Sequence, residues 1–247
     1  MVAMSAVYDR VAAPPVTPHR FGLFAVAPPS SPAGTSYLAG IQWETWACLD
    51  PNTTTDPCIN GGAVVVKEFE VCPDTNSHKP ITVYQGMQAS GGQRLATSQA
   101  EGVLQGAEEY AVEKWLWADL STRVTENAAL SPLGALAFVE DDLATHYHGE
   151  GVVHMTRGMA TRLAASLVRS GSRVETMAGT PVAVGAGYAA ANPNTIYGTG
   201  AMVIYRGPVA VDTRWNLSIN DELTLAERTY VVGWDCFETG ALVAPAT

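Results

Sequence analysis

Apolar and polar positions change their period more than once along the chain. Between residues 41 and 88 they alternate one by one: Ile41, Trp43 and Thr45, then Ala63-Val64-Val65-Val66-Lys67-Glu68-Phe69-Glu70-Val71, then Ile81-Thr82-Val83-Tyr84. Successive side chains on a strand point to opposite faces, so this period predicts strands. Asp50-Pro51-Asn52, Asn60-Gly61-Gly62 and Asp74-Thr75-Asn76 lie between them and carry the residues that turns require. The segment reads as a long β-hairpin or small meander with wide loops, marginal unless its apolar face meets a partner.

From Ala100 to Leu120 the pattern becomes helical, with no proline and much Ala, Glu, Leu and Gln. Ser98 with Glu101 has the spacing of a capping box, and Val103, Ala107, Tyr110, Ala111 and Trp117 predict the apolar face. Ser131-Pro132 opens a second helix, in which proline at the first helical position sacrifices no hydrogen bond; it runs to Gly149. Gly151-Val152-Val153-His154-Met155 reads as a short buried strand, and Thr156 caps a third helix that continues through Leu163, Leu167 and Val168 to Gly171. Beyond Arg173 the chain predicts strands over 180–187, 196–205, 209–215 and 222–234. The first forty residues hold Pro14, Pro15, Pro18, Pro28, Pro29 and Pro32, which forbid long helices and predict an extended arm laid across another surface. The whole is α+β without internal repeats.

Composition narrows the function. Hydrophobic residues form 47% of the chain and charged residues 15%, which excludes a highly charged disordered polymer and suggests that much of the surface is covered by something else. A net charge of -10 argues against a phosphate-binding face. Arg157, Arg162, Arg169 and Arg173 form a mild cluster that reads as the polar side of the third helix. No apolar run is long enough for a membrane helix, and the N-terminus lacks a basic region followed by an apolar core, so the chain is expected in the cytoplasm. Cys48, Cys58, Cys72 and Cys236 are expected as free thiols, with a Cys48–Cys58 bridge as the other possibility.

Chemistry-bearing constellations are weak. His146, His148 and His154 straddle a helix end and a strand without a completing ligand, so no metal is expected. Gly185-Ala186-Gly187 reads as a turn needing positive φ rather than a phosphate cradle. Glu140-Asp141-Asp142 point in different directions on a helix and read as a solvated face. No nucleophile elbow, Walker loop or zincin motif is present, so neither catalysis nor a cofactor is expected.

Several stretches resemble the Hong Kong 97-type major capsid proteins of tailed phages. Residues 151–160 resemble the axial-domain strand that leads into a helix, and 178–184 resemble the glycine turn before a Pro-Val strand. Residues 223–234 followed by 240–243 look like the last peripheral strand and its closing segment. The likeness covers about residues 97–243, and the earlier segments by order and character. It implies an arm over 1–40, an E-loop hairpin region over 41–96, a spine helix of the peripheral domain over 97–130, an axial domain over 131–219, and a returning peripheral strand with the C-terminus over 220–247.

The same resemblance implies a structural protein of the virion whose copies join as hexamers and pentamers into an icosahedral head. That head encloses DNA without reading its sequence, and scaffold, portal and decoration proteins are its possible partners. The alternatives are an encapsulin-like nanocompartment shell and a minor head or tail protein. Phe21, Phe24, Trp43, Trp46, Phe69 and Tyr84 are the expected inter-subunit contacts, because large aromatic side chains anchor interfaces. Some relatives weld subunits through lysine and asparagine, which would involve Lys67 or Lys79 with Asn220. Removal of residues 1–38 is expected to leave soluble protein that forms no shell.

Overall fold

The computed structural model describes residues 17–32, 34–45, 47–49, 74–90, 97–190, 192–218 and 221–245. In chain order its helices are α1 (Leu23–Val26), α2 (Thr97–Arg123), α3 (Pro132–His146) and α4 (Arg157–Arg162). Its strands are β1 (Ile41–Thr45), β2 (Asp74–His78), β3 (Pro80–Ser90), β4 (Asn127–Leu130), β5 (Val152–Thr156), β6 (Leu167–Ser170), β7 (Arg173–Thr176), β8 (Pro181–Gly185), β9 (Thr195–Thr199), β10 (Met202–Arg206), β11 (Ala210–Asn216), β12 (Asp221–Trp234) and β13 (Glu238–Val243). The predicted strand over 63–71 lies outside the described residues.

Two sheets organise the body. The 14-residue β12 is the axis of a four-stranded antiparallel sheet: β3 pairs with it from Pro80 to Ser90, and β10 and β11 pair with its two halves. One face of this sheet is covered by α2. Ala100 and Leu104 pack on Ala226, with Val83, Met87 and Val211 around them. Farther along α2, Val112, Leu116, Trp117 and Leu120 meet Tyr188, Tyr197, Tyr230 and Trp234. Trp117 is wholly buried and stacks on Tyr188 with ring centroids 4.8 Å apart.

The second sheet has seven strands in the order β4-β13-β9-β5-β8-β7-β6. It is mixed rather than antiparallel throughout, since β5 runs parallel to β8 and β4 parallel to β13. Every residue of β5, β8 and β9 is buried, which explains their unbroken apolar and threonine runs. Ala135, Leu136, Val139 and Leu143 of α3 cover the half containing β13 and β9.

A two-stranded ribbon belongs to both sheets. Met202 of β10 stands opposite Trp234 of β12, and beyond a bend Thr199 of β9 stands opposite Glu238 of β13. The bend is bonded across, Gly200 N to Phe237 O at 2.8 Å and Asp235 N to Ala201 O at 3.0 Å. The expected single strand over 196–205 is therefore two strands in two sheets. Likewise, of residues 220–247, β12 lies in the four-stranded sheet and β13 in the seven-stranded one.

Several expectations change. Helix α2 begins at Thr97, so Ser98 lies inside it rather than at its N-cap. Its buried side is Ala100, Leu104, Glu108, Val112, Leu116 and Leu120, whereas Val103 and Tyr110 are exposed. The third helix stops at Arg162, and Leu167 and Val168 belong to β6, which turns through Gly171 (φ 59) into β7. Arg157 and Arg162 thus sit on α4, while Arg169 and Arg173 sit on a hairpin. The caps of α3 and α4 are as expected, with Ser131 Oγ accepting from Gly134 N and Thr156 Oγ1 from Met159 N, each at 3.1 Å.

The front segment also differs. Leu23, Ala27 and Tyr37 are buried in the chain's own core, and Ser30 bridges to Tyr205 beside β10. Removing residues 1–38 would therefore strip core side chains and not merely a free arm. Cys48 is bonded to Cys236 with Cα atoms 6.1 Å apart, which overturns both the free thiols and the Cys48–Cys58 pair for these two residues. Cys58 and Cys72 lie outside the described residues. Sequence spacing could not find this pair, because 188 positions separate its members.

Candidate assembly surfaces

What the front segment rests on is a set of glutamates. Glu113 Oε1 accepts from Leu23 N at 3.0 Å and its Oε2 from Gly187 N at 2.8 Å, while Glu109 Oε1 accepts from Phe24 N at 2.8 Å. The first turn of α1 offers amides with no helical partner, and these carboxylates satisfy them. Burial pushes the Glu109 carboxyl up to about 7 against the lowering effect of the Phe24 amide, and Glu113 and Glu108 push it the same way as burial. Burial likewise raises Glu113. Glu108 faces the other side of the same core and holds Arg206 at 3.2 Å and Arg228 at 2.7 Å.

Gly187 stands where α2 passes closest. A Cβ there would meet Tyr110 O at 2.3 Å, so the position needs the absence of a side chain. Neither Gly185 nor Gly187 has positive φ, which corrects the reason given for that pair: a 3-10 turn follows directly over Gly187–Ala190.

The remaining polar candidates serve the fold. His154 is fully buried between Tyr188 Oη and Thr199 Oγ1, each at 3.0 Å, and burial lowers it to about 3. His146 meets Asp142 one turn earlier, at 3.0 Å, and His148 N donates to Ala47 O. Among the described residues no group of three His, Cys, Asp or Glu is placed to hold a metal ion. Glu140 and Asp142 are not a solvated face: Glu140 accepts from Thr180 Oγ1 at 2.8 Å and Asp142 from Thr239 Oγ1, tying α3 to the strands beneath. Asp141 alone of the three points outward.

Of the expected aromatic contacts, Phe21 and Phe24 are partly covered by their own chain. Arg169 lies over the Phe21 ring at 4.7 Å, and Phe24 stacks on Tyr230 at 6.0 Å. Trp43 stands in β1 opposite Asn76. Trp46, Phe69, Lys67 and Asn220 lie outside the described residues, and Lys79 is exposed between β2 and β3.

Tyr84 is different. It is 68% exposed on the side of the four-stranded sheet turned away from α2. Leu225 and Leu223 of β12 share that side, opposite Gly86 and Gln88 of β3. Gly86 has nothing within 4 Å of the place a Cβ would occupy, and beside it opens a shallow cleft of about 600 Å³ reaching Leu223, Leu225 and Arg214. Sequence reasoning named Tyr84 but not the two leucines, whose alternation with Thr224 and Ala226 was the available signal.

No protein-family model matches the chain, and no curated protein matches it in sequence. Solved structures do match in shape. The capsid of a native GTA particle aligns with a TM-score of 0.64 at 12% identity, covering 98% of this chain and 96% of that one. The mature capsid of bacteriophage PhiM1 aligns at 0.52 and 13% identity, over 100% and 93%. A virus-like particle from Pyrococcus furiosus aligns at 0.52 and 10% identity, over 89% and 91%. Among the described residues no helix is long and apolar enough to cross a membrane. A match in shape to capsids over nearly the full length of both chains makes this the Hong Kong 97-like capsid fold.

Proposed function

We propose that this chain is the major shell subunit of a tailed-phage head, a structural component of the virion that performs no catalysis. Copies join as hexamers and pentamers into a closed icosahedral shell that encloses DNA without reading its sequence. Scaffold, portal and decoration proteins are its candidate partners. The four-stranded sheet with α2 serves as the peripheral domain and the seven-stranded sheet with α3 as the axial domain. The observation that carries this reading is the likeness to phage capsids over almost the whole of both chains.

The uncovered side of the four-stranded sheet supports it independently. Two cores are closed by the chain itself, yet Tyr84, Leu223 and Leu225 stay open on a surface suited to another molecule. Electron microscopy of the purified full-length protein tests the proposal: closed shells are expected, and monomers alone at high concentration would overturn it. The likeness to the Pyrococcus furiosus particle favours a nanocompartment as the second reading. Packaged protein instead of DNA in particles from the native source would select it.

A further inference from the structure

One end of the seven-stranded sheet carries arginines with no acidic partner. Arg157 and Arg162 on α4, and Arg169 and Arg173 on the β6–β7 hairpin, are all exposed. Arg20 joins them, its carbonyl accepting from Arg157 Nη1 at 3.1 Å. Among the described residues Arg123, Arg206, Arg214 and Arg228 each hold a carboxylate, whereas none of these five does. Glu175 is the only acid in the hairpin. On a chain of net charge -10 this is a concentrated positive field.

An apolar cleft of about 370 Å³ lies within that field, lined by Phe21, Ala164, Leu167, Val168 and Val174 and flanked by Arg157 and Arg169. Val168 is 44% exposed there. Phe21 is held at φ 67, a conformation that a bulky side chain rarely adopts, with its carbonyl bonded to Val184 N at 2.7 Å.

The complementary surface is on the same molecule. The outward side of α3 exposes Leu133, Ala137, Asp141 and Ala144, and Glu150 is exposed just beyond its end. Leu133 and Asp141 are about 12 Å apart along the helix axis, with alanine between them allowing close approach. Helix α3 lies over β13 and β9, whereas Arg169 and Arg173 sit on the hairpin at the far edge of the same sheet. Among the described residues no ion pair joins Asp141 or Glu150 to any of the five arginines within one copy.

We propose that the outward side of α3 in one copy docks into the arginine-flanked cleft of the next, with Leu133 as the apolar anchor and Asp141 and Glu150 facing the arginines. The contact rests on the shell reading and specifies how neighbours join. It is head-to-tail: each copy gives one surface and receives the other, and such contacts make rings where the rotation between neighbours closes. A second copy is the occupant because this chain carries both halves of the charge complement.

Charge reversal in the full-length protein tests it. Arg169→Glu with Arg173→Glu reverses one end, Asp141→Arg with Glu150→Arg the other, and a third chain carries all four. Particle yield is read by sedimentation and electron microscopy, and folding by circular dichroism. Each single-end reversal is expected to lower the yield roughly tenfold or more, and the four-fold variant to recover most of it. Leu133→Ser, at an exposed position, is expected to lower the yield without changing the melt. Normal yield from both single-end variants, or a four-fold variant that folds but assembles no better than they do, overturns the contact while leaving the shell reading intact. Failure of the unaltered chain to form particles overturns both.

Discussion

On α2, Glu108, Glu109 and Glu113 occupy the side that packs inward, which is why the apolar positions mark that side only in part: Trp117 is buried on it, while Val103 and Tyr110 are exposed. A charged residue facing a core needs donors, and those donors are backbone amides of residues 23, 24 and 187 and the guanidinium groups of Arg206 and Arg228. They come from distant parts of the chain, so no local pattern shows them. The Glu109 carboxyl, at about 7 in the folded state against an ordinary 4.5, gives a definite pH dependence. Its contribution to stability is full below pH 4.5 and is lost as pH rises through about 7, because the folded state binds the proton more tightly. Thermal melts between pH 5 and 8 should therefore show the wild type losing stability relative to Glu109→Gln as pH rises, and parallel curves would contradict this. His154 and His78, both lowered by burial, act in the opposite sense as pH falls below 6.5, but they are common to both proteins and cancel in the difference.

Among the elements, helix caps and buried strands were legible because each is a local chemical requirement. Ser131-Pro132 and Thr156 do what their side chains permit. Strand β6 reads as the end of the third helix because Leu163, Leu167 and Val168 also fit a helical period. Gly171-Ser172 between Val168-Arg169-Ser170 and Arg173-Val174-Glu175 was the stronger signal, a two-residue turn whose first position takes positive φ. The Cys48–Cys236 bridge fastens the segment after β1 to the loop between β12 and β13. Closing so long a loop restricts the unfolded chain, and removing such a bond costs on the order of 2–5 kcal/mol. Cys236→Ser is expected to melt at lower temperature than the wild type under oxidising conditions and at a similar temperature under reducing ones. Equal melts in oxidising buffer would mean that the bond contributes nothing.

For the molecule as a whole, the order of elements could be read from residues 97–243, but the assignment of strands to sheets could not. Pairing such as Leu225 with Gly86 joins positions far apart in the chain. The aromatic residues expected as anchors divide in the same way: Phe24 is spent on the internal core and Tyr84 is left outside. If the open side of the four-stranded sheet is covered in the shell, Leu225→Thr, which keeps a strand-forming side chain opposite Asp212, should leave the melting temperature nearly unchanged, within about 0.5 kcal/mol of stability, yet reduce particle yield. Unaltered yield would remove that side from the assembly. The ribbon common to both sheets carries a mechanical corollary. Two strands bonded together on either side of a bend at Gly200-Ala201 and Asp235-Phe237 carry the backbone bonding from one sheet into the other without a break. Any tilt of one sheet against the other about that line has to open the core around Trp117, where Tyr197 from one sheet and Tyr230 and Trp234 from the other pack together, and Tyr147 Oη, accepting from Ala201 N at 3.0 Å, braces the bend from one side.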